Sequence, residues 1–209
     1  MSERITIRPA AQIPDRAAYL ELVAASIAPC AAFVHDDPAT AREALEAVFD
    51  SGYAEFCPPR GVAYLDDAGR TVAISVGMER DEQIRAGMQT AMVLRKSGFA
   101  DRHPEVMERL RVVAPTLIRP DAGDYYWSQT AVSATARGGG IGSQLTQAAI
   151  DEARRRGCKR VLGLMVPGSP IARILERHGF VEYERKRVED AARGVAVEYI
   201  HLVRDLGTE

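Results

Sequence analysis

The chain has 209 residues, of which 46% are hydrophobic and 27% charged, values typical of a globular protein with one sizeable core. A net charge of −2 excludes a strong electrostatic attraction to nucleic acid or to an anionic membrane surface. Three widely spaced cysteines, Cys30, Cys57 and Cys158, indicate reduced thiols rather than a disulfide framework or a zinc site. We therefore expect a single cytoplasmic domain over residues 1–209, with no metal, no nucleic-acid partner and no stretch able to span a membrane.

The first half of the chain predicts a strand, two helices and a β-hairpin. Asp15 is a good N-cap for a helix that we expect to end near Ala28, because Pro29 follows. A second helix is expected from Pro38, with proline in its first turn. Polar–apolar alternation and β-branched residues predict three strands, which cover residues 4–8, 61–65 and 71–78.

A long segment from Glu79 to Arg119 separates this hairpin from the second half of the chain. Its apolar residues recur at helical spacing, so we expect two helices, with Met88 and Met92 packed inward. The rest of the chain predicts a central strand, a helix, a strand, a short helix and a final strand pair. These elements are expected over residues 125–132, 143–156, 160–166, 170–177, 180–188 and 195–204.

The most informative motif joins the central strand to its helix: Arg137-Gly138-Gly139-Gly140-Ile141-Gly142. Glycines let the backbone turn tightly and approach another molecule with no Cβ in the way. The first amides of a helix have no internal partner and lie at the positive end of its dipole. A strand, a glycine turn and a helix in this order therefore predict a phosphate-binding site.

Two common phosphate-binding motifs do not fit this turn. A P-loop requires Lys-Ser or Lys-Thr after the glycines, and a dinucleotide fingerprint requires G-x-G-x-x-G. Counting from Gly138 or Gly140, the third glycine position of that fingerprint holds Ser143 or Leu145.

The pattern that does fit is R-x-x-G-x-G, formed by Arg137, Gly140 and Gly142. It resembles the acyl-CoA pyrophosphate loop of the GNAT superfamily of N-acetyltransferases. Further along the chain, the sequence ERHGF at 176–180 resembles the helix-to-strand corner of the same family. Two motifs in the right order, with a predicted strand between them, are far more specific than either motif alone.

The resemblance implies an α/β (α+β) fold with a mixed, mostly antiparallel central sheet of about seven strands and helices on both faces. A helical insertion would precede the central strand, a layout similar to that of puromycin N-acetyltransferase-like members. The implied activity is transfer of an acetyl or other acyl group from acetyl-CoA to the amine of a small molecule, by direct attack on the thioester. A homodimer is compatible with this assignment.

The resemblance also implies where the cofactor binds. The pantetheine arm would lie along the backbone of the central strand, and the pyrophosphate would sit on the amides of the glycine turn. The residues concerned are Thr130, Ala131, Val132, Arg137, Gly138, Gly139, Gly140, Ile141, Gly142 and Ser143. The acceptor pocket is expected to include Trp127 on the central strand, together with Glu55 and Phe56 in the loop before the second strand.

The catalytic residues of the family do not carry over to this chain. Leu175 stands where many members have a tyrosine that protonates the leaving thiolate, and Tyr126 stands where some have a general-base glutamate. The catalytic groups are therefore unknown from the sequence, with Tyr126 and Tyr183 as candidates. Two alternatives stay open: a non-catalytic CoA-binding or sensing domain, and acetylation of a protein N-terminus or a hydroxyl group.

Overall fold

The computed structural model describes residues 6–9, 12, 15–52 and 61–207. Its strands are β1 (Thr6–Pro9), β2 (Gly61–Leu65), β3 (Thr71–Glu79), β4 (Asp124–Val132), β5 (Arg160–Met165), β6 (Val181–Asp190) and β7 (Val195–Asp205). They form one sheet in the order β1-β2-β3-β4-β5-β7-β6. Neighbouring strands pair antiparallel except β4 and β5, which are parallel. The mixed, mostly antiparallel sheet predicted from the sequence is confirmed.

Helices cover both faces of the sheet. They are α1 (Arg16–Val34), α2 (Pro38–Asp50), α3 (Arg80–Lys96), α4 (Phe99–Arg102), α5 (Pro104–Val113), α6 (Ile141–Arg155) and α7 (Ala172–Arg177). Because side chains alternate along a strand, Tyr125 and Trp127 of β4 pack into the core beneath α6. Tyr126 points to the opposite face, where it packs with Ile118 and Leu162. This second face carries α1, α2 and the insertion helices.

The order of elements agrees with the sequence prediction. Two details differ: the end of α1 and the number of α-helices between residues 79 and 119. Helix α1 does not end at Ala28 but continues through Pro29 to Val34. A proline inside a helix removes one backbone hydrogen bond without ending the helix when packing holds both halves, and α1 packs against both β3 and β4. The segment from 79 to 119 contains three helices rather than two, because Gly98 adopts a left-handed φ of 72° and starts the short α4.

The prediction that Met88 and Met92 pack inward is wrong. Their side chains on α3 are 70% and 49% exposed, whereas Ala86 and Leu94 are the residues of this helix that are buried. Sequence spacing identified the helix but could not determine which of its faces meets the sheet.

Helix α1 also corrects the expectation that no stretch could span a membrane. By length and composition it passes that test, with a mean hydropathy of 1.7 over its most apolar window, of which 33% is buried inside the protein. Its buried residues include Tyr19, Leu20 and Val23, which pack with Ile74 of β3. Much of its remaining apolar surface lines a cavity, so its composition suits a core helix that also forms a cavity wall.

Candidate active site

The site begins where strands β4 and β5 separate. They pair in parallel only from Asp124 to Trp127 of β4, opposite Arg160 to Gly163 of β5. At Ser128 the pairing of β4 with β3 shifts by one residue, a β-bulge that bends the strand. Beyond the bulge β4 stays paired with β3 up to Val132 but no longer with β5. The result is a gap in the middle of the sheet.

The open edge of β4 presents backbone groups to this gap. The amide of Ser133 donates to the carbonyl of Val72 on β3 at 2.8 Å, so residue 133 faces β3. Backbone groups of successive residues in a strand point to opposite sides, so Thr130 and Val132 face the gap while Ala131 faces β3. Thr130 and Val132 therefore offer donors and acceptors to a ligand, whereas Ala131 contributes to the wall and not to backbone hydrogen bonding.

The glycine turn closes one end of the gap. Gly138 and Gly140 have left-handed φ values of 87° and 80°, which residues with a side chain rarely adopt. A Cβ at either position would meet no protein atom within 4 Å, so the space beside the turn is open. Gly140 is the N-cap of α6, and the first amides of that helix point out of its end. The turn therefore has the features predicted for an anion site, namely left-handed glycines, open space beside them and a helix N-terminus.

Ser143 was expected to contribute its amide to this site, but the amide is hydrogen-bonded within the first turn of α6 instead. Its amide donates to the carbonyl of Gly140 at 3.1 Å, and its Oγ lies 2.7 Å from Nε2 of His178. Burial, together with nearby Arg204 and Arg177, lowers the pKa of His178. The hydroxyl and the neutral ring together fix the start of α6 against the end of α7.

Two arginines line the cavity that the glycine turn borders. Nε of Arg137 donates to the carbonyl of Val132 at 3.3 Å, which ties the turn back to the open strand. Arg177, in the last turn of α7, lines the same cavity. Sequence reasoning identified Arg177 only as part of the family's helix-to-strand corner and did not assign it to the site. Guanidinium groups of this kind pair with phosphate groups where the two meet.

One cavity of about 810 Å³ connects the glycine turn, the gap and the space under the insertion helices. Every predicted cofactor residue except Gly139 and Ser143 lines it. Below the gap its wall is mostly apolar and comes from helices α1 to α5 together with strands β5 and β7. We call this part the acceptor chamber, and its wall includes Ile27, Cys30, Val34, Ala44, Val48, Leu94, Phe99, Val106, Leu110, Leu164 and Tyr199.

Helix α1 brings polar groups to the mouth of the chamber. Oγ of Ser26 lies 2.7 Å from the Val23 carbonyl and 2.5 Å from the side-chain amide of Gln129 on β4. A hydroxyl has one proton, so both contacts are satisfied when Ser26 donates to Val23 and the Gln129 amide is turned to donate to Ser26. One turn further on, Pro29 has no N–H to donate to the Ala25 carbonyl, and both residues line the cavity.

The far end of α1 is held by two guanidinium groups. Arg193, in the turn between β6 and β7, donates to the carbonyl of Phe33, and Arg109 of α5 donates to that of Val34. Both arginines also pair with Asp36, and the hydrogen bond from Arg109 is the main reason why the pKa of that carboxyl is lowered. These contacts satisfy carbonyls that a helix end leaves open and fix three elements around the chamber.

Of the two catalytic candidates, only Tyr126 lies in this cavity. Tyr183 is 48% exposed on β6 and lines a separate surface cleft, where its ring packs edge-on against His201. The Tyr183 prediction is therefore wrong in position. The assignment of Trp127 to the acceptor pocket is also wrong: its ring packs under α6, and its Nε1 donates to Oγ of Ser75 at 2.8 Å. Strand alternation places Trp127 on the face opposite Tyr126.

The remaining predicted residues have different outcomes. Glu55 and Phe56 lie outside the described residues. Leu175 is 4% exposed and packs in the core under α6, so its side chain supplies no chemical group to the gap. Among the described residues, no group of three or more His, Cys, Asp or Glu side chains is placed to hold a metal ion.

The sequence model of the acetyltransferase (GNAT) family matches residues 94–180, which include β4, the glycine turn, α6, β5 and α7. This part of the chain matches the model of that family, which confirms the resemblance inferred from the two motifs. No curated protein matches the sequence.

Several solved structures share the fold over nearly the whole chain. The crystal structure of an acetyltransferase is 20% identical with a TM-score of 0.64, covering 97% of this chain and 100% of that one. An N-acetyltransferase from Staphylococcus aureus Mu50 is 14% identical with a TM-score of 0.66, covering 95% and 100%. The NatC complex bound to Gag peptide and CoA is 15% identical with a TM-score of 0.56, covering 98% and 99%. Family and fold together support acyl transfer from acetyl-CoA, without defining the acceptor.

Proposed function

We propose that this protein is an N-acetyltransferase that moves the acetyl group of acetyl-CoA to the amine of a small molecule. The observation that carries the proposal is the continuity of one cavity, which joins the glycine turn, an open strand edge and a mostly apolar chamber. A volume of about 810 Å³ lies within the range of small-molecule sites. The proposed cytoplasmic location rests on the cysteine pattern alone.

The chain supplies positioning and charge stabilisation for this reaction. The amine nitrogen attacks the thioester carbonyl carbon, the carbonyl oxygen gains negative charge, and the carbon–sulfur bond then breaks. The Thr130 amide, which faces the gap, is the donor we assign to that oxygen, and such a donor contributes about 10²–10³-fold to the rate. Holding both reactants in one cavity contributes through proximity.

Acetyl transfer needs two proton transfers. The amine nitrogen loses a proton as the new bond forms, and the CoA thiolate gains a proton as it leaves. Tyr126, Ser128 and Gln129 of β4 line the cavity at the bulge, and among them Tyr126 carries the phenol, so we assign Tyr126 to proton movement on the acceptor side. The Ala25 carbonyl, which lacks its helical donor at Pro29, can accept a hydrogen bond from the attacking nitrogen and orient it.

The test begins with binding and then measures chemistry. Calorimetric titration should detect CoA and acetyl-CoA, with weaker or no heat from NAD and ATP. An assay of free thiol with acetyl-CoA and a panel of amines should then show CoA release, with N-acetylated product identified by mass. Tight binding of CoA, with no CoA released from acetyl-CoA in the presence of any acceptor, would favour a sensing domain over an enzyme. That alternative has one observation in its favour, the buried Leu175 where a tyrosine is common.

Acetylation of a protein N-terminus or of a hydroxyl group is the other alternative. A panel that includes peptides and alcohols beside small amines separates these cases by product. If CoA were released with peptides alone, the proposed acceptor would change from a small molecule to a protein.

A further inference from the structure

Helix α3 carries an apolar stripe on its outer face, the side that points away from the sheet. Met88 is 70% exposed, and Ile84 and Met92 are each 49% exposed. The inner face of the same helix carries Ala86 and Leu94, which are buried. Large apolar side chains that are exposed singly are ordinary, but three on successive turns of one helix indicate contact with another molecule.

The outer face can be mapped from the geometry of a helix. Successive residues are turned by about 100° around the axis, and each rises about 1.5 Å along it. Ile84 and Met92 therefore lie about 40° to either side of Met88. Asp81 and Arg95 lie about 20° to either side of Met88 and about 10 Å from it in opposite directions along the axis. The outer face is thus a line of side chains with an apolar middle and a charged residue at each end.

The charges at the two ends of this line are opposite. Asp81 lies in the first turn of α3 and Arg95 in its last turn, and both are exposed. A surface with an apolar centre and opposite charges at equal distances from it is complementary to a second copy of itself turned by 180°. A partner of unrelated sequence imposes no such symmetry on this chain, so the pattern favours a second copy as the partner.

We propose that the protein forms a dimer in which the outer faces of two α3 helices pack antiparallel, with the two-fold axis at Met88. In this dimer Met88 packs against the partner's Met88, and Ile84 packs against the partner's Met92. Asp81 pairs with the partner's Arg95, and the symmetry produces the same ion pair a second time. The apolar contacts supply the driving force, and the charges set the register.

The spacing of the outer face suits such a pair. Steps of three and four residues alternate along it, which is the repeat found where two packed helices meet. The residues in these steps are Asp81, Ile84, Met88, Ala91 and Arg95. A parallel pair has the same repeat, but it places Asp81 against the partner's Asp81 and Arg95 against the partner's Arg95. Like charges therefore disfavour the parallel arrangement.

The pairing also bears on the acceptor chamber. Thr90 and Leu94 line the cavity from the inner face of α3. Ile84, Met88 and Met92, which all belong to the described part of the chain, do not line it. Packing the two outer faces together therefore supports the chamber wall without entering the cavity. Dimerisation and CoA binding can be measured separately for this reason.

The first experiment measures the mass of the wild type by sedimentation equilibrium. At low salt we expect a dimer with a Kd in the micromolar range or below, over protein concentrations of about 1–200 µM. Met88→Lys places two like charges at the centre of the contact and should raise this Kd at least about 100-fold. Val112→Lys is the matched control, because Val112 is 44% exposed on α5 and this variant should dimerise like the wild type. Circular dichroism checks that both variants fold.

A charge reversal tests the register. Asp81→Arg gives a chain with arginine at both ends of the line, and Arg95→Asp gives a chain with aspartate at both ends. Each variant alone brings like charges together, so its Kd should rise about tenfold or more. An equimolar mixture of the two should restore dimerisation, as a heterodimer whose two end pairs are both opposite in charge. Arg111→Asp, at an exposed position on α5, is the control and should not restore it when mixed with Asp81→Arg.

Each outcome decides the proposal. A wild type that stays monomeric over this range would overturn it and leave the outer face of α3 to a partner of unrelated sequence. A dimer that persists in Met88→Lys would overturn it by placing the contact elsewhere on the molecule. Loss of the dimer in Met88→Lys, with no restoration in the charge-reversed mixture, would overturn the antiparallel register. The proposed acetyltransferase function is unaffected by any of these results, because it is tested by CoA binding and release.

Discussion

The Nε–H of Arg137 donates to the main-chain carbonyl of Val132, linking the first residue of the glycine turn to the last residue of the open strand. One of the five guanidinium donors is used in this contact, and the others can reach an anion. The same side chain therefore shapes the turn and adds charge to it. This contact therefore links the glycine turn to the open edge of β4.

Replacing this arginine should weaken cofactor binding with little effect on stability. For Arg137→Gln we expect the Kd of acetyl-CoA to rise about tenfold, because a charge-assisted contact with phosphate is lost. The free energy of unfolding should change by less than about 1 kcal/mol, since the residue is exposed. Titration at low and high salt is the measurement, and the wild type should lose more affinity with salt than the variant. Arg95→Gln, at an exposed position on α3, is the control.

The glycine turn offers a comparison that separates backbone strain from ligand binding. Gly140→Ala and Gly157→Ala each place a Cβ on a left-handed residue, with φ of 80° and 70°, and neither Cβ meets a protein atom within 4 Å. Both variants should lose about 1–2 kcal/mol of unfolding free energy. Only Gly140→Ala should also lose CoA affinity, by tenfold or more, because its Cβ enters the space assigned to phosphate. Equal CoA affinities in the two variants would show that the turn at Gly140 does not bind the cofactor.

Local features of the site could be predicted from the sequence, and features that depend on packing could not. The glycine turn was predictable because its conformation is set by neighbouring residues and by the demand for positive φ. Strand alternation predicts that Tyr126 and Trp127 face opposite sides of the sheet. It does not predict which of them lines the cavity, because that depends on the helices packed on each side. The acceptor chamber is formed by helices α1 to α5 over strands β5 and β7, and no local pattern encodes the contacts among these elements.

Pro29 gives a case in which stability and activity should change in opposite directions. Pro29→Ala restores an N–H that can donate to the Ala25 carbonyl, and we expect α1 to gain about 1–3 kcal/mol of stability. The carbonyl is then occupied, so kcat/KM for the amine should fall while the affinity for CoA is unchanged. Chemical denaturation and steady-state kinetics measure the two effects. A more stable variant with full activity would show that the Ala25 carbonyl has no part in orienting the acceptor.

Stability should depend on pH through a buried histidine. His201 is 1% exposed, its Nε2 lies 2.7 Å from the carbonyl of Thr116, and burial lowers its pKa below 6.5. Below pH 6.5 the unfolded chain therefore binds a proton that the folded protein does not. Stability is fully present above that pH and falls as the pH drops toward the folded-state pKa.

Two other histidines with lowered pKa values, His35 and His178, add to the same trend. Carboxyl groups with lowered pKa values change the stability only at pH values near and below their ordinary pKa. The contribution of the histidines can therefore be measured separately between about pH 6.5 and 5. Urea unfolding across this window should show a smaller loss for His201→Gln than for the wild type. If the unfolding free energies of the variant and the wild type changed equally with pH, the pH dependence would be assigned to His35 and His178.

Tyr126 is the residue whose replacement should affect the chemical step. Tyr126→Phe keeps the ring that packs with Ile118 and Leu162, so the fold and the affinity for CoA should be retained. Loss of the hydroxyl should lower kcat by about 10²-fold or more if it moves a proton during transfer. A matched control is Tyr183→Phe, which removes a hydroxyl from the separate surface cleft and should leave kcat unchanged. Burst-phase and steady-state measurements with one amine would separate chemistry from product release. A normal kcat for Tyr126→Phe would assign proton movement to water or to the acceptor and leave the β4 backbone and the glycine turn as the catalytic elements of the chain.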